Sequence, residues 1–588
     1  MENWVIKNKK ADFNRIMQEC GVSEVLARCL VNKGLEQPAE IMEYLYPDIH
    51  DLHHPSFLKD MEKATGILRD KIRSGRRIRI IGDYDVDGVV STYLLYRTLK
   101  MVGADADYDI PDRIKDGYGI NIRMVEDARE SGVDTLITCD NGIVALEQVC
   151  KAKEYGMTVI VTDHHSLLQM EDGKILLPEA DAIINPKQPG CPYPFKDLCG
   201  AAIAYKLILA LLNQFDIKEN NECNGYKEEL LSYVAIATVC DVMDLTGENR
   251  IIVKHGMTLL RNTKNKGLLA LMEASQLDKD QISAFHLGYV LGPCLNASGR
   301  LDTAKKGLEL LLAEDNEDAV KLAAEVRNLN DIRKEMTSEN VEKAVRMIEE
   351  GPLKDDKVLV VYLKGCHESI AGIIAGRIRE RYHRPVLILT DAGDGIKGSA
   401  RSIGQYNMIE ELSKQRELFT KVGGHPMAAG FSLMPWNMEP LRKALNEQTV
   451  LTEEMLVPKV SIDILLPMGY LSEELVQELR LLEPFGKGNE KPLFAEKDLK
   501  IKSAFIIGKN ASGIRFILEN QYGRQLEAVY FGDVEEFFTY IRDTYGEEKA
   551  EKLKTGRSTS ILLTVTYYPK INEYNGFKSI QMILQNFR

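Results

Sequence analysis

Residues 77–96 read RIRIIGDYDVDGVVSTYLLY. Ile78, Ile80 and Ile81 make an apolar, β-branched run that stops at Gly82. Three carboxylates follow within five residues, Asp83, Asp85 and Asp87, and after Gly88 a helical apolar pattern starts at Val89. A strand passing into a helix through a tight turn is the beginning of an α/β unit. Each acid has a local explanation: Asp87 as a helix N-cap, Asp83 as a turn former, or all of them as a solvated loop. Three together strain that explanation, because like charges a few ångströms apart repel in a partly dry site. A positive partner is expected beside them, either an Arg/Lys cluster or a metal ion.

The pattern recurs downstream. DTLITCD (134–140) and MTVIVTD (157–163) are strand-like, and VVSTYLLYRTLK and IVALEQVCKAKEYG are helical segments between strands. This alternation predicts a parallel α/β sheet. The second strand ends in CDNG with Asp140, the third in TDHH with Asp163, His164 and His165. Ligands of open parallel sheets bind beyond the carboxyl ends of the strands, so motifs distant in sequence are predicted to converge. Asp241, where the apolar run AIATVCDVMDL breaks, is a further candidate. Carboxylates with imidazole suit Mn²⁺ or Mg²⁺ better than a thiolate-seeking metal. There are enough of them for two ions sharing one carboxylate, an arrangement that serves phosphoryl transfer.

With 588 residues the chain is too long for one core, and three to five domains are expected. Apolar content of 44% and charged content of 28% are those of a globular protein. The absence of long apolar runs and of an apolar leader makes a cytoplasmic protein with no membrane association the expectation. Ten cysteines without a CxxC pair read as free thiols and not as a zinc site or disulfide frame. A net charge of −13 argues against a broadly basic nucleic-acid coat, but leaves room for a local basic groove.

Residues 1–55 read as an N-terminal helical segment, and 56–310 as the domain carrying the acidic motifs. Residues 311–352 hold one long helical pattern, with Val320, Ala323, Val326, Ile332 and Met336 along its stripe. Such a helix bridges domains. A second α/β pattern begins at KVLVVYL (357–363), continues through RPVLILT (384–390), and defines a domain over 353–452. Residues 453–588 change to short alternating strands (IRFILE, QLEAVYF, SILLTVTYYP, SIQMILQ), which predicts an all-β barrel module.

DYDVDG, CDNG, TDHH and ATVCDV resemble the successive motifs of the DHH phosphoesterase superfamily. Within it the chain resembles the RecJ family of bacterial single-strand-specific exonucleases. PDRIKDGYG (111–119), NPKQPGCPYPFKDLCGAAIAYKL, LGPCLNASGRLDTA, GIKGSARSI, KVGGHPMAAGF and LEPFGKGNEKPLF carry that resemblance in order along nearly the whole chain. It implies a multidomain α/β protein: a DHH parallel-sheet domain, a long connecting helix, a DHH-associated α/β domain and a C-terminal OB-type β-barrel. It implies two Mn²⁺ or Mg²⁺ ions held by Asp85, Asp87, Asp140, His164 and Asp241, with Asp140 bridging. Asp83 is either a ligand or a supporting group, and His165 faces the substrate phosphate. The implied activity is 5′-to-3′ hydrolysis of single-stranded DNA to mononucleotides in repair and recombination. A monomer working with a single-strand-binding protein and a repair helicase is the implied assembly. In GCHESIAG (365–372), Cys366 stands where family members usually have an aromatic residue and Ser369 where they have glycine.

The phosphate-contacting candidates implied by the family are Arg113, Tyr118, Asn296, Arg300, Ser399, Arg401 and His425, expected mainly in loops. A single loop Arg is as readily a surface ion pair, and GGH a capped turn. Arg can nevertheless hold a phosphate with a fork of donors, and glycine lets backbone approach a ligand. Tyr522, Tyr530 and Phe531 are expected chiefly as barrel core, with base stacking the alternative. Nucleases of very short RNA and cyclic-dinucleotide phosphodiesterases share these metal acids, but commonly carry a His where Ile81 stands and lack the barrel. A related pyrophosphatase is much shorter, and a catalytically dead replication scaffold would not keep the metal acids.

Overall fold

The computed structural model describes residues 2–170, 172–215, 221–393, 395–508, 511–557, 559–574 and 576–588, without the side chains of 221–224 and 574. The chain divides into two compact units, Ile49–Pro458 with Gly486–Gly488, and Met1–Asp48 with Lys459–Phe485 and Asn489–Arg588.

In the first unit, β1 (Ile78–Ile81), β2 (Ala106–Asp109), β3 (Thr135–Cys139), β4 (Thr158–Thr162) and β5 (Ala182–Ile184) form one sheet in the order β2-β1-β3-β4-β5. Every pairing is parallel. Alternate residues feed two cores. Ile78, Ile80, Ile137 and Ile160 pack with Val89, Tyr93, Leu94 and Leu207 from the helices α1 (Val86–Met101) and α2 (Gly200–Leu212). Ile81, Leu136, Val159 and Val161 pack on the opposite face with Met124, Val125 and Val149. Coverage on both faces explains why these strands read as near-continuous apolar runs. Leu94 is fully buried, so its truncation to Ala should cost about 2–5 kcal/mol.

α3 (Asn221–Cys240) packs in the same core, and α4 (Gly292–Leu301) follows. The connecting helix α5 spans Asn316–Glu350, 35 residues, or about 52 Å. Asp315 caps it by accepting from the Glu317 and Asp318 N–H groups. Its buried stripe divides: Ala319, Ala323 and Val326 join the sheet-domain core, and Ala344 and Ile348 join that of the second α/β domain. The expected bridging role is therefore met by one apolar stripe shared between two cores.

The second sheet runs β9-β10-β8-β7-β6, from β6 (Leu359–Tyr362), β7 (Val386–Ala392), β8 (Gly395–Arg401), β9 (Phe419–His425) and β10 (Ala428–Leu433). β6 and β7 are parallel and the remaining pairings antiparallel. KGSARS and GGH were expected as loops. They lie in strands β8 and β9, where alternation aims Ser399 and Arg401 to one face.

In the second unit, β11 (Phe494–Ile507), β12 (Gly513–Glu519), β13 (Gln525–Tyr530), β14 (Leu562–Tyr574) and β15 (Phe577–Phe587) pair in the sequence β11-β12-β13-β15-β14. β14 pairs again with β11, whose two halves serve different neighbours. This is the OB-type module, not strictly closed as a barrel. It is not all-β as expected, since helices Val534–Tyr545 and Glu547–Lys554 fill the β13–β14 connection. Residues 1–55 also differ from a separate helical segment. Asn3–Ile6 is a strand paired parallel with Lys459–Ile462. Leu26, Leu30, Ile41 and Leu45 share one core with Phe494, Phe516 and Leu563. Short amphipathic helices that cannot bury their apolar faces alone take the barrel as partner. Among the described residues, no helix is long and apolar enough to cross a membrane.

Candidate metal centre and phosphate cleft

The acidic turn after β1 is shaped by close approach. A Cβ on Gly82 would lie 2.1 Å from the Thr92 hydroxyl, and one on Gly88 2.4 Å from the Asp83 carbonyl. The cap of α1 is Asp85, not Asp87: its Oδ1 accepts from the Asp87 and Gly88 N–H groups at 2.9 and 3.2 Å. Asp87 instead faces the N-terminus of α2, where the Gly200 and Ala201 N–H groups donate to it at 2.6 and 2.8 Å. A helix N-terminus favours an anion there. Asp83 is buried and accepts from the Gly119 N–H at 3.2 Å.

Asp140, just past β3, has φ +61°, a region non-glycine residues seldom occupy and that recurs at functional sites. Asn141 fixes the turn, its amide donating to the Ile81 and Cys139 carbonyls and its oxygen accepting from the Ile120 N–H. His164, past β4, places Nε2 3.1 Å from Asp140, 3.6 Å from Asp241 and 3.8 Å from Asp87. Asp241 follows the last turn of α3 and is succeeded by Val242 at φ +55°. The predicted residues thus converge. Ligand atoms lie within 4.8 Å of one another in three groups: Asp83, Asp85 and Asp140; Asp87, His164 and Asp241; and Asp140, His164 and His165. Asp140 belongs to two of them, as a bridging carboxylate must.

The electrostatics fit a cation. Burial, then the Asp85 charge, push Asp87 up to about 6. Burial and the neighbouring carboxylates hold Asp83, Asp140 and Asp241 well above the usual range. Burial, then His165, lower His164 to about 3, so it is a neutral imidazole suited to ligation. His164 Nε2 and Asp140 Oδ1 are buried 3.1 Å apart without forming an aligned hydrogen bond to each other, an arrangement that a shared cation would satisfy. Mn²⁺ or Mg²⁺ matches this oxygen-rich donor set.

His165 behaves differently. Burial would lower it, but its 2.8 Å bond to Asp163 and that residue's charge outweigh burial and hold it up at about 9. Asp163, fully buried, also accepts from the His164, His165 and Ile143 N–H groups. Sequence reading placed Asp163 at the strand end but gave it no role; its signal was a carboxylate directly before paired histidines. The Gly200 and Ala201 N–H groups were missed as well, since only the Ala-rich helix start marked them. Tyr118 donates to the Asp140 carbonyl at 2.8 Å and lies 3.0 Å from His165 Nδ1.

A cleft of about 610 Å³ opens between the two α/β domains of this unit, lined by Arg113, Arg300, Ser399, Arg401, Lys397 and Lys421. The Arg113 guanidinium lies 3.8 Å over the Tyr84 ring, and its Nε donates to the Gly299 carbonyl at 3.1 Å. Arg300 donates to the Ser369 carbonyl at 2.5 Å, joining the domains. Burial, then Arg113 and Arg333, lower Arg300 to about 9. Burial and Arg379 lower Arg401. Crowded, partly dry guanidinium groups are what a bound anion relieves. Lys397 pairs with Glu368 at 2.7 Å. Lys397 and Lys421 were not among the sequence candidates.

Tyr118, Asn296 and His425 do not line this cleft. The Asn296 side chain accepts from the Val86 N–H at 3.2 Å, supporting the acidic turn. His425 is exposed at the end of β9, in the ladder row Ala428–Arg401. Cys366 is buried, and the Ser369 hydroxyl lies 2.7 Å from His367 Nδ1. In the barrel unit Tyr530 is core as expected, whereas Tyr522 and Phe531 are 83% and 67% exposed.

Three family models match the chain: the DHH family N-terminal domain over residues 77–238, the DHHA1 domain over 355–450 and the RecJ OB domain over 462–586. The single-stranded-DNA-specific exonuclease RecJ of Escherichia coli K12 is 34% identical over 547 residues, covering 90% of each chain. The chain belongs to the RecJ family. The RecJ of Bacillus subtilis 168 is 34% identical over 588 residues, 99% of this chain and 70% of that protein. RecJ from Thermus thermophilus in complex with Mn²⁺ superposes with a TM-score of 0.81 at 26% identity, covering 100% of this chain and 79% of that one. The Mg²⁺ complex of the same protein gives 0.75 at 25% identity. The RecJ fold is shared from the N-terminal helices through the OB module.

Proposed function

We propose that this RecJ-family protein is a metal-dependent exonuclease that removes mononucleotides from the 5′ end of single-stranded DNA. The observation that carries this reading is the convergence of three groups of carboxylates and imidazoles at the carboxyl edge of β1, β3 and β4, two of which share Asp140, with His164 Nε2 3.1 Å from that carboxylate. In the proposed assignment Asp83, Asp85, Asp87, Asp140, His164 and Asp241 hold two Mn²⁺ or Mg²⁺ ions, with Asp83 as ligand or support. Bound there, the ions supply charge neutralisation and an activated water for phosphodiester hydrolysis.

The chain's own groups do the rest. His165, kept cationic by Asp163, donates to a phosphate oxygen of the substrate. Tyr118 buttresses both His165 and the Asp140 turn. Arg113, Arg300, Ser399 and Arg401 hold the terminal 5′-phosphate, which carries more charge than an internal diester and so is favoured by forked donors. His425 and Asn296 act at the periphery, the first toward the backbone of the strand and the second through the acidic turn. Domain limits of 56–310, 311–352, 353–452 and 453–588 accompany this assignment, with residues 1–48 packed on the last. A cytoplasmic monomer, recruited by a single-strand-binding protein and a repair helicase, completes the reading.

Asp140→Ala tests it. With Mn²⁺ and a 5′-phosphorylated single strand, beside a dinucleotide and pyrophosphate, the wild-type chain should degrade the strand and release mononucleotides. Folded Asp140→Ala should lose turnover by several orders of magnitude. Near-wild-type cleavage by the variant would remove Asp140 from the centre.

A further inference from the structure

The phosphate cleft holds more positive charge than one terminal phosphate needs. Arg113, Arg300 and Arg401 answer a terminal phosphate, yet Lys397 and Lys421 line the same cavity. The strand register places these two lysines. Lys397 of β8 lies opposite Ser432 of β10, and Ser432 lies opposite Lys421 of β9. Directly opposed residues share one face of a sheet, so the three side chains form a row across it. The next row on that face is Ser399, Gly430 and Gly423, and the one after it Arg401, Ala428 and His425. Four residues of strand separate the lysine row from the Arg401 row, about 14 Å. The floor of the cleft is therefore elongated, with cations at both ends.

The middle row lacks a side chain at Gly423 and Gly430. Neither adopts the left-handed backbone that favours glycine, and a Cβ on either would meet nothing within 4 Å. Backbone and packing thus leave glycine unexplained at both positions; what the two provide is open floor between the cationic rows. The one carboxylate among the described residues of the lining is Glu368, which lies 2.7 Å from Lys397 Nζ. The Lys397 side chain is 47% exposed. A pair this open to solvent is worth about 0–1 kcal/mol, so an arriving anion displaces Glu368 at little cost.

We propose that Lys397, Ser432 and Lys421 form an anion subsite for the outer phosphates of a strand that ends in a 5′-diphosphate or 5′-triphosphate. The inference rests on the exonuclease reading above, with the innermost phosphate at Arg113, Ser399 and Arg401. The outer phosphates then cross the glycine floor to the lysine row. There the two ammonium groups and the Ser432 hydroxyl donate to them, and Glu368 gives up Lys397. A lone terminal phosphate is too short to meet both rows. Hydrolysis of such an end keeps the proposed course. Water adds to the phosphorus of the first internucleotide linkage, and the 3′ oxygen of the terminal nucleotide leaves and takes up a proton. A nucleoside triphosphate is released, and the shortened strand carries an ordinary 5′-phosphate.

The test uses the full-length protein and one single-stranded twelve-nucleotide sequence bearing either a 5′-triphosphate or a 5′-monophosphate. Binding is read by fluorescence anisotropy before Mn²⁺ is added, and the first product by chromatography afterwards. The wild-type chain should bind the triphosphate end about tenfold more tightly than the monophosphate end. Combined Lys397→Ala and Lys421→Ala should bring that ratio close to one, and Lys397→Arg with Lys421→Arg should keep it. The first product from the triphosphate strand should be the nucleoside triphosphate. A wild-type ratio near one would overturn the subsite. So would equal weakening of both ends by the double-alanine variant, which would assign the lysines to the strand's backbone, or release of pyrophosphate or orthophosphate in place of the nucleoside triphosphate. If the wild-type chain cleaves neither strand, the exonuclease reading fails, while the binding ratio still decides the subsite.

Discussion

Gly200→Ala perturbs the metal centre without replacing any candidate ligand. Gly200 opens α2, and a Cβ there would lie 2.7 Å from Asp140 Cβ, 2.9 Å from its Oδ1 and 3.0 Å from its Cα. Ordinary van der Waals contact begins near 3.4 Å, so Asp140 or the helix must give way by about 0.7 Å (3.4 − 2.7). Asp140 is held by its own backbone bond to Thr162 and by the Asn141 clamp. The start of α2 therefore moves, and with it the two N–H groups that orient Asp87. Misplacement on the order of 1 Å costs a catalytic constellation about 100-fold, so kcat/KM should fall about 10- to 100-fold. Stability should change little, because the helix gains up to about 1 kcal/mol from replacing glycine while local overpacking costs about 1–3 kcal/mol. Steady-state hydrolysis of a 5′-phosphorylated strand across a Mn²⁺ titration reads the effect, with thermal melting as the check on folding. Gly376→Ala is the control, since a Cβ there meets open space, and it should be silent. A folded Gly200→Ala chain with wild-type kcat/KM and wild-type Mn²⁺ dependence would refute the packing argument.

Arg401→Ala should shrink the advantage of a 5′-phosphate over a 5′-hydroxyl substrate by about tenfold or more while Mn²⁺ binding stays intact; an undiminished preference moves the phosphate pocket elsewhere. Asp163→Asn removes the charge that raises His165, so the value should drop from about 9 to the ordinary 6.5 or below. Because His165 is charged below its pKa, the alkaline limb of the kcat/KM profile should move down by the same interval, and a limb that stays near pH 9 contradicts the pairing. Tyr522→Ala with Phe531→Ala, both exposed in the OB module, should weaken binding of long strands about tenfold more than binding of dinucleotides, as read by fluorescence anisotropy; equal loss on both would implicate folding instead.

The catalytic sheet was legible because β-branched runs ending in acids repeat at each strand end, and one physical rule places those ends together. The connecting helix was legible from its stripe. Residues 1–55 were not, because short amphipathic helices look alike whether they stand alone or share a core, and only long-range packing with Phe494 and Phe516 decides. The inserted helices at 534–554 were hidden among strand-like neighbours. In the site, the ligand candidates carried their chemistry in their residue types. The exchange of roles between Asp85 and Asp87 did not, since which carboxylate caps α1 depends on where α2 begins, more than a hundred residues on. Asp163 was seen but unassigned, because its function is to orient His165 and not to meet a ligand. Strand positions were read as loops at KGSARS and GGH because glycine and small polar residues signal turns, while here glycine makes room within paired strands: a Cβ on Gly398 of β8 would lie 2.1 Å from the Phe431 ring of β10, and one on Gly424 of β9 2.4 Å from the Ala428 carbonyl.

The account turns on Asp140 as the group shared by two metal ions. Anomalous diffraction at the manganese edge from crystals of the wild-type chain grown with Mn²⁺ tests this most directly. The account predicts two peaks in the cluster, both contacting Asp140, with His164 and Asp241 at one of them. A single peak, or two that do not share Asp140, would contradict it.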